Sequence, residues 1–363
     1  MVYDAAIIGA GPAGCAAAIA LARSNLNVLL LEASTFPRYR PGESLHPGVE
    51  PIFESLGVAQ AVNEAGFIRH SGHRVSWSTD QPEHLEPFGD DKQGEWRGYQ
   101  AWRPELDTIL LDHAKAQGIT VWHPCRAQAL MLQNGQLTGL DTDRGFVHAR
   151  YVIDASGRSQ WLRRKLGIHT VKYSPKLLVR YGYLDCVEDS SLFEPPLMHR
   201  DEVGWTWLAR VRPDRCAWVR MRLDGVDPGR DWRPPQLLDA ITTGAITNDT
   251  SPSKGEDMTW RISETLATEQ WFLAGDAATV LDPASSHGVL RALMSGMQIA
   301  HLITATVQET LSPTRAAHLY SQWIREWFHS DVARLRELYF GSDRQSNHPD
   351  HARLDRKVLV PHS

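Results

Sequence analysis

A glycine triplet near the amino terminus constrains the fold more than any other feature of this chain. Gly9, Gly11 and Gly14 follow the apolar run at residues 3–8 and open an alanine-rich stretch. This order predicts a buried strand, a tight turn and a helix, which form the phosphate-binding start of a dinucleotide fold. The first glycine permits the turn, the second lets the backbone approach a pyrophosphate, and the third lets the helix pack closely on the sheet. The helix N-terminus then presents free N–H groups to the phosphates.

A second apolar strand, predicted over residues 27–31, ends at Glu32, eighteen positions beyond Gly14. An acid at this position accepts hydrogen bonds from a ribose hydroxyl and disfavours a nucleotide with a 2′-phosphate. Taken together, these residues predict bound NAD or FAD.

Length and composition indicate a globular protein of two packed lobes. The 363 residues exceed the usual size of one domain, and 42% hydrophobic with 22% charged residues are globular proportions. A formal net charge of -5 provides no broad basic field, so no nucleic-acid partner is expected. No apolar run approaches the roughly 20 residues that a bilayer-spanning helix needs, so no membrane association is expected. Four cysteines without a CxxC pair are typical of a reduced, cytoplasmic protein.

Two later segments repeat the pattern of an apolar strand that ends in an acid and a small-residue turn. They are residues 151–157, with Asp154, and residues 271–278, with Asp276. With the glycine triplet, they resemble the three ordered motifs of FAD-dependent monooxygenases and flavin-dependent halogenases, and the resemblance covers nearly the whole chain. It implies FAD as cofactor and an α/β fold. That fold has a Rossmann-like FAD-binding domain of the aromatic hydroxylase type, an antiparallel substrate-domain sheet and a C-terminal helix.

The resemblance also implies roles for individual residues. Asp276 would hold the ribitol, and the loop at 282–289 would open a helix beneath the pyrimidine end of the flavin, where N–H groups stabilise negative charge. Arg40 lies in a P-x-x-R-x-G-E loop and Arg103 in an R-x-x-L-D pattern, although either could instead be a surface residue. The candidate cofactor-binding residues are Gly9, Gly11, Gly14, Glu32, Arg40, Glu43, Ser44, Arg103, Ala127, Asp154, Asp276, Pro283, Gly288 and Val289.

A change of pattern divides the chain into domains. Residues 1–72, 97–171 and 261–308 are predicted to form the FAD-binding domain, and residues 73–96 and 172–260 the substrate domain, where strands rich in tryptophan alternate. Residues 309–363 are predicted to form a C-terminal helical segment and tail. The helix, expected over 314–339, would pack through one face. The residues of that face are Leu319, Trp323, Trp327, Val332, Leu335 and Leu338.

The flavin halogenases that this chain resembles need a lysine that presents the halogen to the substrate. The matching stretch, residues 66–77, has no lysine, and Arg69 occupies roughly its place. A guanidinium does not lose a proton at accessible pH, so it cannot replace that amine. The sequence therefore disfavours halogenation and favours hydroxylation. The candidate catalytic residues are His46 and His287, in flavin-adjacent loops, and Arg69, and the alternative for each histidine is a structural role.

The stretches 40–48 and 282–288, the compact length and the lysine-free site resemble short flavoproteins that mature tryptophylquinone-containing oxidases. That resemblance implies hydroxylation of a tryptophan in a partner protein, a quinoprotein precursor. The alternatives are a monooxygenase of a small aromatic natural product and a flavin-bound assembly chaperone without turnover. Since no second GxGxxG domain is present, the electrons would come from transiently bound NAD(P)H or from a separate flavin reductase. No metal site is expected.

Overall fold

The computed structural model describes residues 2–76, 82–188, 191–242, 244–248 and 253–340. Residues 1 and 77–81 and the predicted tail beyond 340 lie outside these ranges. None of the helices within them is both long enough and apolar enough to cross a membrane. The helices are α1 (Pro12–Arg23), α2 (Glu50–Leu56), α3 (Ala59–Glu64), α4 (Arg103–Ala116), α5 (Trp161–Lys165), α6 (Pro235–Thr242), α7 (Gly288–Val307) and α8 (Pro313–Phe340).

The strands of the described ranges fall into two large sheets and three small ones. The strands are β1 (Val2–Ile8), β2 (Val28–Leu31), β3 (Ser44–Leu45), β4 (Ile68–His70), β5 (Gly72–Ser76), β6 (His84–Pro87), β7 (Asp90–Asp91), β8 (Gly94–Glu95), β9 (Gly98–Gln100), β10 (Thr120–Trp122), β11 (Ala127–Gln133), β12 (Gln136–Thr142), β13 (Gly145–Asp154), β14 (Thr170–Lys172), β15 (Leu178–Cys186), β16 (Leu197–Asp201), β17 (Gly204–Arg212), β18 (Arg215–Arg222), β19 (Ile246–Asn248), β20 (Lys254–Asp257), β21 (Arg261–Ser263), β22 (Trp271–Leu273) and β23 (Thr279–Val280).

The first large sheet brings the ends of its parallel strands to one edge. Its order is β10-β2-β1-β13-β12-β11, with β22 beside the carboxyl end of β13. β10, β2, β1, β13 and β22 are parallel, whereas β11 and β12 pair antiparallel. Beyond the strands, the N–H of Gly9 donates to the last carbonyl of β2 (2.7 Å), Ala155 to that of β1 (2.9 Å) and Ala274 to that of β13 (2.8 Å). The carboxyl ends of such strands are where an open α/β sheet binds its ligand.

Two helices rich in small residues, α1 and α7, cover one face of this sheet. A Cβ atom at Gly296 of α7 would lie 2.2 Å from the carbonyl oxygen of Ala13 in α1. Glycine at 296 and the alanines of α1 therefore allow the two backbones to touch. On α8, Tyr320 packs below them and donates its hydroxyl to the carbonyl of Leu273 at the end of β22 (2.5 Å).

One face of the second large sheet packs toward the first sheet. The other face packs on a separate apolar cluster at the outside of the molecule. Its order is β19-β15-β18-β17-β16-β5-β6, with β20 also beside β15, and all pairs except β16–β5 are antiparallel. Because side chains alternate along a strand, Tyr183 points toward the first sheet, whereas Leu184 and Cys186 join the cluster under α6. The predicted fold class, an α/β domain with an antiparallel substrate sheet and a C-terminal helix, is confirmed.

Helix α8 forms where it was predicted, and Val332 and Leu335 of the predicted face are buried, but the other four residues of that face are not. The buried row consists of Tyr320, Ile324, Phe328, Val332, Leu335 and Tyr339. Leu319, Trp323, Trp327 and Leu338, expected in the buried row, are only partly buried at its flank. For these four residues the prediction was wrong because it followed the tryptophans, which lie side by side with ring centroids 5.3 Å apart. The smaller residues of the neighbouring row fit against the core.

We expect Gly296→Ala to destabilise the protein by about 1–3 kcal/mol, because the new methyl group must push α7 away from α1. Thermal unfolding of the flavin-free protein measures the effect. Gly288→Ala is the matched control on the same helix, since a Cβ there meets no atom within 4 Å. Equal midpoints for the two variants would contradict the close contact of α1 with α7.

Candidate flavin site

The predicted phosphate turn has the geometry that only glycine permits. Gly9 adopts a φ of 103°, and a Cβ there would lie 2.4 Å from the carbonyl oxygen of Ala155. A Cβ at Gly14 would lie 1.8 Å from the carbonyl oxygen of Gly9. Gly11 differs, because a Cβ there would meet only the guanidinium of Arg38, at 3.4 Å. The backbone at Gly11 therefore faces the Arg38 guanidinium, and this cation and the free N–H groups of α1 would both favour an anionic pyrophosphate.

Glu32 lies beside this turn. Its carboxylate accepts hydrogen bonds from the N–H of Ala10 (3.0 Å) and of Ser34 (2.8 Å), and it lies 3.7 Å from Arg38. The carbonyl of Glu32 accepts from the N–H of Cys125 (2.7 Å), which brings the backbone leading to Ala127 and β11 beside it. Both predicted elements of the nucleotide end thus lie together.

Arg38 was missed by the sequence analysis, which selected Arg40 from the same loop. The Arg38 guanidinium lies 3.2 Å from Asp107, and its Nε is buried without a hydrogen-bond partner. Arg103 binds the same carboxylate (2.9 Å) and donates to the carbonyl of Pro41 (2.8 Å). Arg40 itself is exposed. A guanidinium beside Gly11 fits an anionic cofactor, and the signal in the sequence was only a second arginine two positions away from Arg40.

The next loop residues connect the flavin loop to the substrate sheet. Glu43 is buried and accepts from the N–H of Gly42 (2.9 Å) and from the hydroxyl of Tyr183 on β15 (2.5 Å). Burial raises the pKa of Glu43, and burial also raises the pKa of Tyr183. A Cβ at Gly42 would lie 3.8 Å from Val289, so the loop packs on the first turn of α7. Glu43 therefore fixes this loop between two elements.

The two predicted acids differ in their surroundings. The carboxylate of Asp276 follows β22, is 40% exposed and lies 3.6 Å from Arg158, so it faces an open groove. Asp154 is fully buried and accepts hydrogen bonds from the N–H groups of Ser156 (3.0 Å) and Leu162 (2.8 Å). Burial raises the pKa of Asp154. Asp276 is thus available to a ribitol hydroxyl, whereas Asp154 holds its own turn.

The loop before α7 is fixed by a hydrogen bond from the C-terminal helix α8. Asp282 is buried and accepts from the N–H of Ala284 (2.8 Å) and the hydroxyl of Tyr339 (2.6 Å). Burial raises the pKa of Asp282 to about 6. Pro283 and Gly288 are exposed, and α7 begins at Gly288, so its free N–H groups lie at the surface of this loop.

His46 and His287, the two predicted histidines, lie next to each other. Their ring centroids are 5.4 Å apart, and the ring of Phe88 lies 5.7 Å from that of His46. Burial lowers the pKa of His46 and lowers that of His287 to about 4. Both rings are therefore neutral at pH 7. We call the set His46, His70, His73, Phe88, Trp207 and His287 the histidine cluster.

Arg69 points away from the histidine cluster. Its guanidinium lies 3.3 Å from Glu50 and 3.8 Å from the centre of the Tyr99 ring. Because side chains alternate along β4, the next residue, His70, faces the cluster instead, with its ring 5.3 Å from Phe88. The residue of β4 that reaches the cluster is therefore His70, and the sequence-predicted Arg69 is its neighbour on the opposite side of the strand.

A chain of hydrogen bonds crosses the site from the substrate sheet. The indole N–H of Trp207 donates to Oγ of Ser44 (3.1 Å), whose hydroxyl donates to Oε1 of Gln100 (2.8 Å). The Gln100 amide donates to Nε2 of His70 (3.1 Å), and Nδ1 of His70 donates to the carbonyl of Gly72 (2.8 Å). Each group donates in the same direction, so His70 is fixed with its proton on Nδ1.

The comparisons with known proteins agree with this geometry. Residues 2–321 match the model of a family described as FAD binding domain. The chain belongs to this family. FAD is its cofactor, and its activity class is that of the flavin-dependent halogenases and monooxygenases. Around the phosphate turn, Arg38 lies beside the backbone at Gly11, and the carboxylate of Asp276 is 40% exposed.

Among curated relatives, a 1H-pyrrole-2-carbonyl-[peptidyl-carrier protein] brominase of Pseudoalteromonas luteoviolacea is 25% identical, over 84% of this chain and 78% of its own. A tryptophan 2-halogenase of Chondromyces crocatus is 24% identical, over 95% and 71%. Among solved structures, the flavin-dependent brominase Bmp2 (TM-score 0.80, 22% identity, 99% and 93% coverage) and the Pseudomonas aeruginosa probable monooxygenase PqsL (TM-score 0.78, 16%, 92% and 94%) share the fold. The sequence-based argument against halogenation is not supported by these relatives.

We expect Asp276→Ala to weaken FAD binding roughly tenfold, because a ribitol hydroxyl would lose its charged acceptor. Titration of the flavin-free protein, followed by quenching of flavin fluorescence, measures the dissociation constant. Asp112→Ala, on the exposed side of α4, removes the same group away from the phosphate turn and is the matched control. An unchanged constant for Asp276→Ala would show that the ribitol lies elsewhere.

Proposed function

We propose that this protein is an FAD-dependent monooxygenase that hydroxylates an electron-rich aromatic ring. The composition of the histidine cluster supports this most strongly. Four imidazoles and two aromatic rings form the cluster, and the lysines within the described ranges, Lys92, Lys115, Lys165, Lys172, Lys176 and Lys254, are all exposed. Halogen transfer through an amine would need one of them near the cluster, whereas hydroxylation needs no amine.

His46 is the residue best suited to move a proton in this reaction. The N–H of Gly48 donates to its Nδ1 (3.0 Å), so the neutral ring carries its proton on Nε2. That Nε2–H is a donor held against Phe88 and His287. Bound reduced flavin would supply the electrons that activate dioxygen, and the chain contributes an aromatic surround and an oriented donor.

We further propose that the ring is presented by another protein, as a tryptophan in a quinoprotein precursor. This hypothesis rests on the resemblance of the stretches 40–48 and 282–288. One relative is named for a pyrrole carried on a peptidyl-carrier protein, which supports a protein-bound ring in general. The described ranges contain one glycine-rich strand–turn–helix, so the electrons would be delivered by NAD(P)H from solution or by a separate flavin reductase.

Halogenation is the second candidate function, and the names of the relatives favour it. With oxygen, bromide and reduced FAD supplied by a flavin reductase, we expect the substrate to gain one oxygen atom and no bromine. Mass spectrometry of a precursor protein, free tryptophan and small phenols separates the cases. Brominated product that disappears in Lys92→Ala would overturn the proposal, and a precursor bound without oxygen gain would favour the chaperone.

We expect His46→Asn to lower kcat on the order of 100-fold with unchanged FAD affinity. Asparagine can still accept the hydrogen bond of the Gly48 N–H, so the turn is kept while the Nε2–H is lost. His46→Ala loses both the acceptor for the Gly48 N–H and the Nε2–H, so its thermal unfolding midpoint measures how much the Gly48 hydrogen bond stabilises the fold. Single-turnover kinetics with reduced flavin give the rate, and a fully active His46→Asn would remove His46 from the reaction.

A further inference from the structure

Two cysteines in the outer apolar cluster lie side by side. Cys186 ends β15, and Cys216 lies on the adjacent strand β18, where it faces Leu184 across the pair. Their Sγ atoms are 3.0 Å apart, and the N–H of Cys186 donates to the carbonyl of Asp214 (2.9 Å). Both thiols are buried on the side of the sheet opposite Tyr183 and the flavin loop. They therefore have no part in the proposed hydroxylation.

A buried cation lies beside this pair. Arg210 is 1% exposed, and its guanidinium donates to the carbonyls of Leu192 (3.3 Å) and Val187 (3.2 Å) and pairs with Glu194 (3.2 Å). Its charge favours a thiolate at Cys186. Buried thiols are normally inert, and a neighbouring cation with a second sulfur in contact is the setting in which they react.

We propose that Cys186 and Cys216 form a dithiol that reduces hydrogen peroxide and closes into a disulfide. Hydrogen peroxide is the oxidant, and a flavoprotein releases it when oxygen is reduced without substrate oxidation. The Cys186 sulfur attacks one peroxide oxygen, the O–O bond breaks, and water leaves after protonation. The Cys216 sulfur then displaces the hydroxyl from the sulfenic acid as a second water. Two thiols and one peroxide thus yield one disulfide and two waters.

Exposure and charge both select Cys186 as the attacking sulfur, because Cys186 is 5% exposed and Cys216 is fully buried. The contact between the two sulfurs lowers the pKa of the Cys186 thiol and raises the pKa of Cys216. Closing the bond needs a movement of about 1 Å, because a disulfide is roughly 2.05 Å long. The other two cysteines lack this setting: burial raises the pKa of Cys15, and burial raises the pKa of Cys125 to about 11.

The test is graded treatment of the FAD-loaded protein with hydrogen peroxide. Free thiols are then alkylated in denaturant and the peptides are mapped by mass spectrometry. We expect a mass loss of about 2 Da, two unalkylated cysteines at positions 186 and 216, and reversal by dithiothreitol. The thermal unfolding midpoint of the oxidised protein should rise by a few degrees, because the cross-link restrains the unfolded chain.

Single variants separate this pair from general oxidation. Cys216→Ser should stop at an oxygen adduct on Cys186, trapped by dimedone, and Cys125→Ser, the matched control, should still form the disulfide. Four alkylated thiols at peroxide levels that oxidise the unfolded chain would overturn the proposal. So would oxidation of Cys15 or Cys125 before Cys186. Neither result would bear on the hydroxylation, which is measured by oxygen gain on the substrate.

Discussion

The close backbone contact at Gly9 is the constraint on which the rest of the site depends. Gly9 touches the carbonyl of Ala155 at one side and the start of α1 at Gly14 on the other, and a side chain fits at neither glycine. This contact ties the ends of β1 and β13 together, and β22 then follows β13 in register. Glu32 and Asp276 lie at the same edge of the sheet because these strand ends coincide. The cofactor site is therefore a property of strand register more than of any single polar residue.

Buried charged groups fix the loop that follows β2 and contains Arg38 and Glu43. Arg38 and Arg103 both pair with the carboxylate of Asp107, and Glu43 accepts a hydrogen bond from the hydroxyl of Tyr183. Removing one partner from such a group leaves an uncompensated buried charge, which costs about 3–5 kcal/mol. The loop is thereby fixed between helix α4 and the substrate sheet. Because the Arg38 guanidinium also lies beside Gly11, the group that stabilises the loop is placed next to the phosphate turn.

Local patterns predicted the FAD-binding half well, since the glycine turn, Glu32 and the strand ends are encoded by neighbouring residues. Side-chain direction was less accessible. Motif spacing indicated Arg40 and Arg69, but it does not say which side of a loop or strand faces inward, where Arg38 and His70 lie. The buried row of α8 was misassigned for a similar reason: Tyr320 and Phe328 fit the core, and the larger Trp323 does not. The misassigned residues of α8 lie one position from residues that the core does bury.

His46 and His70, which both contact Phe88, differ in which ring nitrogens their hydrogen bonds use. His70 uses both ring nitrogens, one toward Gln100 and one toward Gly72, so it orients neighbours and has no proton to offer without breaking the chain. His46 uses only Nδ1, toward the N–H of Gly48, and keeps a directed Nε2–H. Burial keeps both rings neutral, as its effect on each pKa requires. The imidazole that faces the cluster from β4 is thus a positioning residue, and the imidazole of the flavin loop carries the usable proton.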